Sequence, residues 1–152
     1  MMNYLVLNLM SKFTQMITQK KLNDLAYRIV GACIEVHKLA GPGLYEEVYH
    51  QCLEKEFKIL GMNFKSELQI PFFYKGENIN CKLKCDFFIE DLIVLELKSV
   101  TDLHNIHKAQ TMNYMNLLKA HRSILINFNV NNIYHEGYET FASKSFQNLP
   151  KE

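Results

Sequence analysis

The chain has 152 residues, of which 48% are hydrophobic and 22% are charged, and its formal net charge is +1. These values are typical of a globular protein with one sizeable core. The near-neutral charge excludes strong bulk attraction to nucleic acid, so any such binding needs a local basic patch. The cysteines lack the paired spacing of zinc or iron–sulfur sites, which favours reduced core thiols in a cytoplasmic protein; they are Cys33, Cys52, Cys81 and Cys85.

The two ends of the chain differ from the rest. Residues 1–15 lack the basic start and the cleavage site of a signal peptide, and they are too short and too interrupted to span a bilayer. We interpret them as an N-terminal extension, either disordered or a start-site artefact, since Met16 could also begin the protein. Residues 16–142 are predicted to form a single domain, and residues 143–152 a frayed C-terminal tail. No membrane association is expected.

Two helices are predicted at the start of the domain. Apolar residues from Leu22 to Ala40 recur at helical spacing, and the Gly-Pro-Gly at 41–43 ends this helix. His37, near its C-terminus, is explained by the helix dipole alone. A second helix from Leu44 to Leu60 has apolar residues on two stripes and should be largely covered. Its Glu46 is either partly buried and in need of a cation or a proton, or an exposed first-turn carboxylate.

The middle of the chain is predicted to form strands. Phe64 to Tyr74 is strand-like, and Pro71 within it indicates an edge strand or a bulge. Apolar and polar residues then alternate from 79 to 85, as in a half-buried strand. The run from Leu92 to Val100 is apolar on both faces until Glu96, which is typical of a central strand covered on both sides.

Three charged residues interrupt the apolar hairpin predicted between residues 85 and 98. Glu96 and Lys98 share a face because alternate side chains of a strand do, and Asp86 lies beside them if the register allows. Such a group could hold a divalent metal, or it could form a salt-bridged hairpin with its charges in water. Burial of the strand on both faces favours the metal site, since a charge pair is costly to bury without good partners.

The remaining elements are a helix and two closing strands. The helix is predicted from about His104 to Ala120, with strands at Ser123 to Val130 and Tyr134 to Phe141. Gln110 and Tyr114 share one face of the helix, either as an ordinary polar shoulder or as part of a site. The inward side chains of the helix are predicted to be Ile106, Ala109, Leu117 and Leu118.

Several motifs occur together in the order found in one family. Residues 43–49 read Gly-Leu-Tyr-Glu-Glu-Val-Tyr, and Asp86 is followed by Glu-Leu-Lys at 96–98 and Gln-Thr-Met-Asn-Tyr at 110–114. From about Met16 to Phe141 the chain resembles the PD-(D/E)XK nuclease superfamily, and within it the small prokaryotic group of GxxExxY proteins. The Gln-x-x-x-Tyr motif is similar to that of RecB-like nucleases.

One position departs from the family pattern. Cys85 stands where many members have proline before the aspartate. That proline contributes local shape and no metal ligand, so the difference leaves the expected ligands in place.

The resemblance implies an α/β fold with a restriction-endonuclease-like core, in which helices flank a central mixed β-sheet in the order α-β-β-β-α-β. It implies a nuclease that hydrolyses phosphodiester bonds with Mg²⁺ or Mn²⁺ as cofactor. The resemblance favours DNA as the substrate. The alternative is a catalytically silent nucleic-acid-binding or protein-interaction module on the same fold. A third hypothesis is that an apolar surface completes a homodimer.

The resemblance also assigns roles at the metal site. The carboxylates of Asp86 and Glu96 are expected to be direct ligands, with the backbone carbonyl of Leu97 as a third. Glu46 is expected to complete the site from its helix, directly or through water. Lys98 is expected to orient or help deprotonate the attacking water and to offset negative charge in the transition state.

Residues around the metal site receive expected roles as well. Gln110 is expected to position the water, the lysine or the substrate, and Tyr114 to contact phosphate or brace the site. Further side chains are weaker candidates for substrate contact: Tyr49, His37, Lys82, Lys84 and Lys108.

Overall fold

The computed structural model describes Asn3 and residues 16–152, so the predicted extension at 1–15 lies, apart from Asn3, outside the described residues. The elements of the described part are α1 (Gln19–Ala40), α2 (Glu46–Ile59), β1 (Phe64–Tyr74), β2 (Glu77–Ile89), β3 (Ile93–Lys98), α3 (Asn105–Leu117), β4 (Arg122–Asn127), α4 (Ile133–Glu136), β5 (Tyr138–Ala142) and α5 (Lys144–Gln147).

The strands form one mixed sheet in the order β1-β2-β3-β4-β5. β3 and β4 are parallel, and the other neighbouring pairs are antiparallel. α3 connects the two parallel strands. Helices α1 and α2 pack with one face of the sheet, which we call the α2 side, and α3 packs with the other, the α3 side. The predicted α/β fold, with a central mixed sheet flanked by helices, is confirmed.

The central strand β3 is covered on both faces, as its sequence predicts. Every residue from Ile93 to Leu97 is buried. Leu95 and Leu97 belong to the core on the α2 side, and Val94 to the smaller core on the α3 side. Glu96 and Lys98 alternate with the α2-side residues, so they lie on the α3 face.

Pro71 has both of the properties predicted for it. It lies in β1, which is an edge strand of the sheet, and the pairing of β1 with β2 shifts register between Ile70 and Phe72. A bulge on an edge strand suits proline, because its missing N–H then costs no ladder hydrogen bond.

The hairpin of β1 and β2 changes faces partway along its length. Ser66 hydrogen-bonds to His50 of α2, whereas Leu68 packs on the α3 side. Residues two apart on a regular strand share a face, but Glu67 between these two has φ of +50°. On β2 the same change occurs between Cys85, on the α3 side, and Phe87, on the α2 side. Asp86, which lies between those two residues, is therefore the position at which β2 turns its side chains from one face of the sheet to the other.

The far half of this hairpin is more exposed than predicted. Ile79 is 40% exposed and Cys81 is exposed, so a half-buried strand was wrong for this part. The reason is that β3 pairs only with residues Phe87 to Ile89 of β2. Cys33 and Cys85 are buried thiols, whereas Cys81 is not a core residue.

Two predicted inward faces were assigned wrongly in part. On α3, Ile106 is 70% exposed and Leu117 is 38% exposed, because Thr111, Tyr114 and Met115 form the stripe that meets the sheet. On the second helix, the stripe of Leu44, Val48 and Cys52 is only partly covered: Leu44 and Val48 are exposed.

The end of the domain contains two short helices that the sequence did not predict. Residues 134–136, predicted as strand, belong to α4, whose Asn132 side chain accepts a hydrogen bond from the backbone of His135 at 3.1 Å. After β5 the chain forms α5 and returns to α1, where the backbone N–H of Gln19 donates to the Pro150 carbonyl at 2.8 Å. The tail at 143–152 is therefore held by hydrogen bonds and is not frayed. In the part of the chain that the structure describes, no helix is both long and apolar enough to cross a membrane.

Candidate functional site

Side chains replace the backbone ladder at the point where β2 and β3 separate. The backbone N–H of Asp86 donates to Oε1 of Glu96 at 2.9 Å. In return, the backbone N–H of Leu97 donates to Oδ2 of Asp86 at 2.8 Å. Each carboxylate is thus fixed by the backbone of the opposite strand, and Asp86 is the residue at which the hairpin changes faces. The two carboxyl groups are held together at the end of the sheet.

The charge of this pair is poorly compensated. Glu96 is only 4% exposed. Burial raises the pKa of Glu96 to about 9, and the charge of Asp86 adds to the rise, while the hydrogen bond from Asp86 N–H and the charge of Lys98 oppose it. A buried carboxyl group beside a second carboxylate either keeps a proton at neutral pH or gains strongly from a bound cation.

Glu46 approaches this pair from the first turn of α2. It is half-buried, and burial raises the pKa of Glu46, with the charge of Lys98 lowering it and that of Asp86 raising it. Glu46 therefore shares an electrostatic environment with both residues. However, no group of three His, Cys, Asp or Glu side chains among the described residues is arranged to hold a metal. The structure thus does not bring Glu46 into one ligand set with Asp86 and Glu96.

The carboxylate pair nonetheless fits a hard divalent cation. Mg²⁺ commonly binds proteins through one or two carboxylates and keeps several waters. Asp86 and Glu96 would supply two such oxygen ligands, and a bound cation would offset the repulsion between their negative charges.

Lys98 ends β3 on the same face as Glu96. Its positive charge lowers the pKa of Glu96 and of Glu46, and it contributes to a lowered pKa of His107 on α3 after burial. Lys98 therefore shares an electrostatic environment with both carboxylates and with the first turns of α3.

Gln110 and Tyr114 contact one another on α3. Nε2 of Gln110 donates to the Tyr114 hydroxyl at 2.9 Å, so the tyrosine hydrogen is available to another acceptor. Tyr114 is 5% exposed. Burial raises the pKa of Tyr114; the hydrogen bond from Gln110 opposes this, and the charges of Glu96 and Asp86 add to the rise. Tyr114 thus stays protonated near the carboxylate pair.

Tyr49, predicted as a weak substrate contact, has a structural position instead. It is fully buried, and its hydroxyl donates to the Gly41 carbonyl at 2.6 Å and accepts from the Leu44 N–H at 3.2 Å. Its ring stacks on Phe128 with centroids 4.3 Å apart. The last tyrosine of the 43–49 motif therefore holds the Gly-Pro-Gly loop that precedes Glu46.

Replacing Tyr49 with phenylalanine should lower the free energy of unfolding by about 1–2 kcal/mol, because two hydrogen bonds to the loop are lost without a change in volume. Urea unfolding followed by circular dichroism measures this. Tyr45→Phe is the matched control, since that side chain is 87% exposed, and it should change stability by less than about 0.5 kcal/mol. Equal effects of both substitutions would contradict the role given to the Tyr49 hydroxyl.

Other residues predicted to contact substrate form hydrogen bonds or ion pairs within the protein. Nε2 of His37 lies 2.8 Å from the Val130 carbonyl, which fixes the ring against the loop after β4. Lys108 forms an ion pair with Glu139 at 2.7 Å, and Lys84 forms one with Glu67 at 3.0 Å. His37 and Lys108 thus have partners outside the carboxylate pair, whereas Lys84 lines the same cleft as Asp86. Lys82 is exposed one step further along β2.

A cleft of about 910 Å³ runs between α2 and the β1–β2 hairpin. Glu46 and Asp86 line it together with His50, Glu54 and Lys84. It is mixed in charge, and it is the open approach to the carboxylate pair from the α2 side.

Sequence reasoning missed a polar cluster in this cleft. Nε2 of His50 lies 2.7 Å from the Ser66 hydroxyl, which donates to Oε1 of Glu54 at 2.5 Å. The His50 ring also stacks on Phe87, with centroids 4.3 Å apart. Glu54 approaches Nε2, at 3.3 Å, and not Nδ1, so the cluster differs from a Ser-His-acid hydrolase triad. The sequence did contain an indication of this cluster: Glu46, His50 and Glu54 are each four residues apart, so they share one face of the helix.

A second residue, to which the sequence assigned no role, supports the strand that carries the lysine. Asn127 is 3% exposed at the end of β4. Its side chain accepts from the Val100 N–H at 3.1 Å and donates to the Val100 carbonyl at 2.9 Å. This pairing replaces the sheet ladder just beyond Lys98. The signal in the sequence was an amide directly after the apolar run at residues 124–126.

Comparison with known proteins agrees with this geometry. A family model described as the PD-(D/E)XK nuclease superfamily matches residues 23–140. The crystal structure of the protein SSO0001 is similar, with a TM-score of 0.50 and 25% sequence identity over 64% of this chain and 49% of that one. The chain thus spans about half the length of SSO0001. No curated protein matches the chain. With most of its length matched by the family model, the chain belongs to the PD-(D/E)XK nuclease superfamily.

Proposed function

We propose that this protein is a nuclease of the GxxExxY group that hydrolyses phosphodiester bonds in DNA with the help of Mg²⁺ or Mn²⁺. Members of the superfamily are generally hydrolytic nucleases that use divalent metals. The observation that carries the proposal is the reciprocal pairing of Asp86 and Glu96, each held by a backbone N–H of the opposite strand, with Lys98 on the same face.

The residues proposed to hold the metal are Asp86 and Glu96, with the Leu97 carbonyl as a third oxygen donor and Glu46 acting through water. When bound, a hard divalent cation neutralises charge on the phosphate and lowers the pKa of a coordinated water. The carboxylates would hold the cation in their ionised form, so Glu96 would release the proton that burial favours on it.

The other side chains of the site act on water and phosphate. Lys98 orients the attacking water, helps to remove its proton, and offsets the negative charge that develops on the phosphate oxygens. Gln110 fixes the Tyr114 hydroxyl by hydrogen bonding to its oxygen. That hydroxyl keeps its proton and can donate it to a phosphate oxygen, which orients the substrate against the carboxylate pair.

Lys98→Ala should lower the rate of DNA cleavage by at least about 10²-fold, as expected when a positioned acid–base group is removed. Cleavage of duplex and single-stranded DNA and of RNA is measured by gel electrophoresis with Mg²⁺ or Mn²⁺. Lys144→Ala, on α5 beyond the opposite edge of the sheet, is the control and should cleave at the wild-type rate. A wild-type protein that cleaves none of these substrates and shows no metal binding by calorimetry would overturn the proposal.

A second candidate is a nucleic-acid-binding module without turnover. It is favoured by one observation: the described residues contain no ready group of three carboxylate, histidine or cysteine ligands. DNA binding that is sensitive to salt but indifferent to Mg²⁺ and to EDTA, without cleavage, would select this candidate over the nuclease.

A further inference from the structure

Part of the β1–β2 hairpin extends beyond the sheet. β1 and β2 remain paired as far as Tyr74 and Glu77, but β3 pairs with β2 only at Phe87 to Ile89. All residues from 71 to 82 are exposed. We call residues 69–84 the ribbon. An isolated two-stranded hairpin is only marginally stable in water. A long ribbon whose pairing shifts register between Ile70 and Phe72, with no further strand beside it, therefore calls for an explanation.

The ribbon has one apolar and one polar face, because successive side chains alternate. Its apolar face contains Phe72, Ile79 and Leu83, which line a groove against α3. This face is directed toward the protein itself, and it explains how the ribbon is supported. The opposite face is not needed for that support.

The polar face carries mostly polar side chains, together with Phe73, which is 61% exposed and paired with Asn78. Gln69, which is paired with Lys84, lines a groove with Asn78 and Asn80. Lys82 follows Asn80 by two residues on β2, in the stretch where the pairing of the two strands shifts register. Amide and lysine side chains are those that hydrogen-bond to base edges in the major groove of DNA.

The charge of this face suits a polyanion. Glu77 pairs with Tyr74 and therefore lies on the opposite face, and Glu67, beyond the ribbon, is neutralised by its ion pair with Lys84. In the part of the chain that the structure describes, Lys82 makes no ion pair. The polar face continues through Lys84 into the cleft that contains Asp86.

We propose that the polar face of the ribbon binds in the major groove of duplex DNA and leads it into the cleft. The major groove of B-form DNA admits a two-stranded ribbon, whereas the major groove of A-form RNA is too deep and narrow. From Lys84 to Asn78 the strand spans about 20 Å at ~3.3 Å per residue. This length corresponds to about six base pairs at ~3.4 Å each. The proposal names the substrate class of the function proposed above and rests on it.

Binding without turnover tests the proposal. Fluorescence anisotropy with a 30-base-pair DNA duplex in EDTA compares wild type with the variant N78A/N80A/K82A, whose three side chains are exposed. The variant should bind at least about 10-fold more weakly, and K82A alone should lower the salt slope by about one. Lys144→Ala is the control and should bind as wild type does. Duplex RNA of the same sequence should compete at least about 10-fold less well than duplex DNA.

The outcomes separate this inference from the nuclease proposal. Equal DNA binding by wild type and the triple variant, with both folded by circular dichroism, would overturn the ribbon assignment, as would equal competition by duplex RNA. Cleavage by the triple variant at the wild-type kcat/KM would overturn it too, while the nuclease proposal stands.

Conversely, DNA binding that depends on the ribbon, without any metal-dependent cleavage, would support the ribbon proposal and overturn the nuclease proposal. A wild-type dimer that becomes monomeric in the variant, with DNA binding unchanged, would make this face a dimer interface and contradict the proposal.

Discussion

Asp86→Asn should reduce Mg²⁺-dependent DNA cleavage by at least about 10²-fold and leave the fold intact. The asparagine oxygen can still accept the hydrogen bond that the Leu97 N–H donates at 2.8 Å, so the junction of β2 and β3 is preserved. What is lost is the negative charge that, with Glu96, attracts the cation. Single-turnover cleavage of a labelled duplex measures the chemical step, and titration with Mn²⁺ by calorimetry measures the metal.

The same hairpin provides the control for this experiment. Asp91 lies in the turn between β2 and β3, where its exposed carboxylate pairs with Lys65 at 2.7 Å. Asp91→Asn removes one negative charge from the hairpin at a distance from the pair, and it should cleave and bind Mn²⁺ as wild type does. If Asp86→Asn retains full activity, or if both variants lose it equally, the carboxylate pair is not the metal site.

Glu96→Gln should stabilise the metal-free protein at pH 8 and abolish its stabilisation by Mg²⁺. Burial and Asp86 raise the pKa of Glu96 from its ordinary value of 4.5 to about 9 in the folded state. Between these values the folded protein holds a proton that the unfolded chain has released. Stability of the metal-free wild type should therefore fall as pH rises from about 5 to about 9. Glutamine stays neutral, and it keeps an oxygen to accept the Asp86 N–H.

Thermal unfolding between pH 5 and pH 9 tests this, in EDTA and in Mg²⁺. For the wild type, a ligand that binds only the folded state at 100 times its Kd adds about 2.7 kcal/mol, and this gain should be lost in Glu96→Gln. Glu35→Gln, on the exposed side of α1, is the control and should follow the wild-type curve. A metal-free wild type whose stability rises steadily over this pH range would contradict the buried, proton-binding state of Glu96.

These two predictions depend on a pairing that the sequence suggested but could not establish. The alternation of Glu96 and Lys98 was readable from β3 alone. The register that places Asp86 opposite them could not be read from the sequence, because it depends on how far β2 and β3 stay paired. In the structure that pairing ends with Phe87 and Leu95. Beyond it, the Glu96 side chain accepts from the Asp86 N–H, and the Asp86 side chain accepts from the Leu97 N–H.

The errors in predicting exposure share one cause. Helical spacing identified α3, yet its apolar residues Ile106 and Leu117 lie outside the stripe that meets the sheet. Likewise, alternation identified β2, yet Ile79 and Cys81 are exposed beyond the end of β3. A periodic pattern shows which residues share a face, but whether another element covers that face depends on the lengths and pairing of distant strands.

The sequence by itself determined the main helices and strands, the central buried strand, the edge position of Pro71 and the family to which the chain belongs. These follow from local periodicity, from the backbone limits of proline and from motifs that keep their order. Only the tertiary structure decided which charged groups meet. The face change at Glu67 and Asp86 brings one carboxylate within reach of both the cleft and β3. Packing against Phe128 likewise directs Tyr49 inward, where it holds a loop, because a side chain's partners are set by elements far apart in the chain.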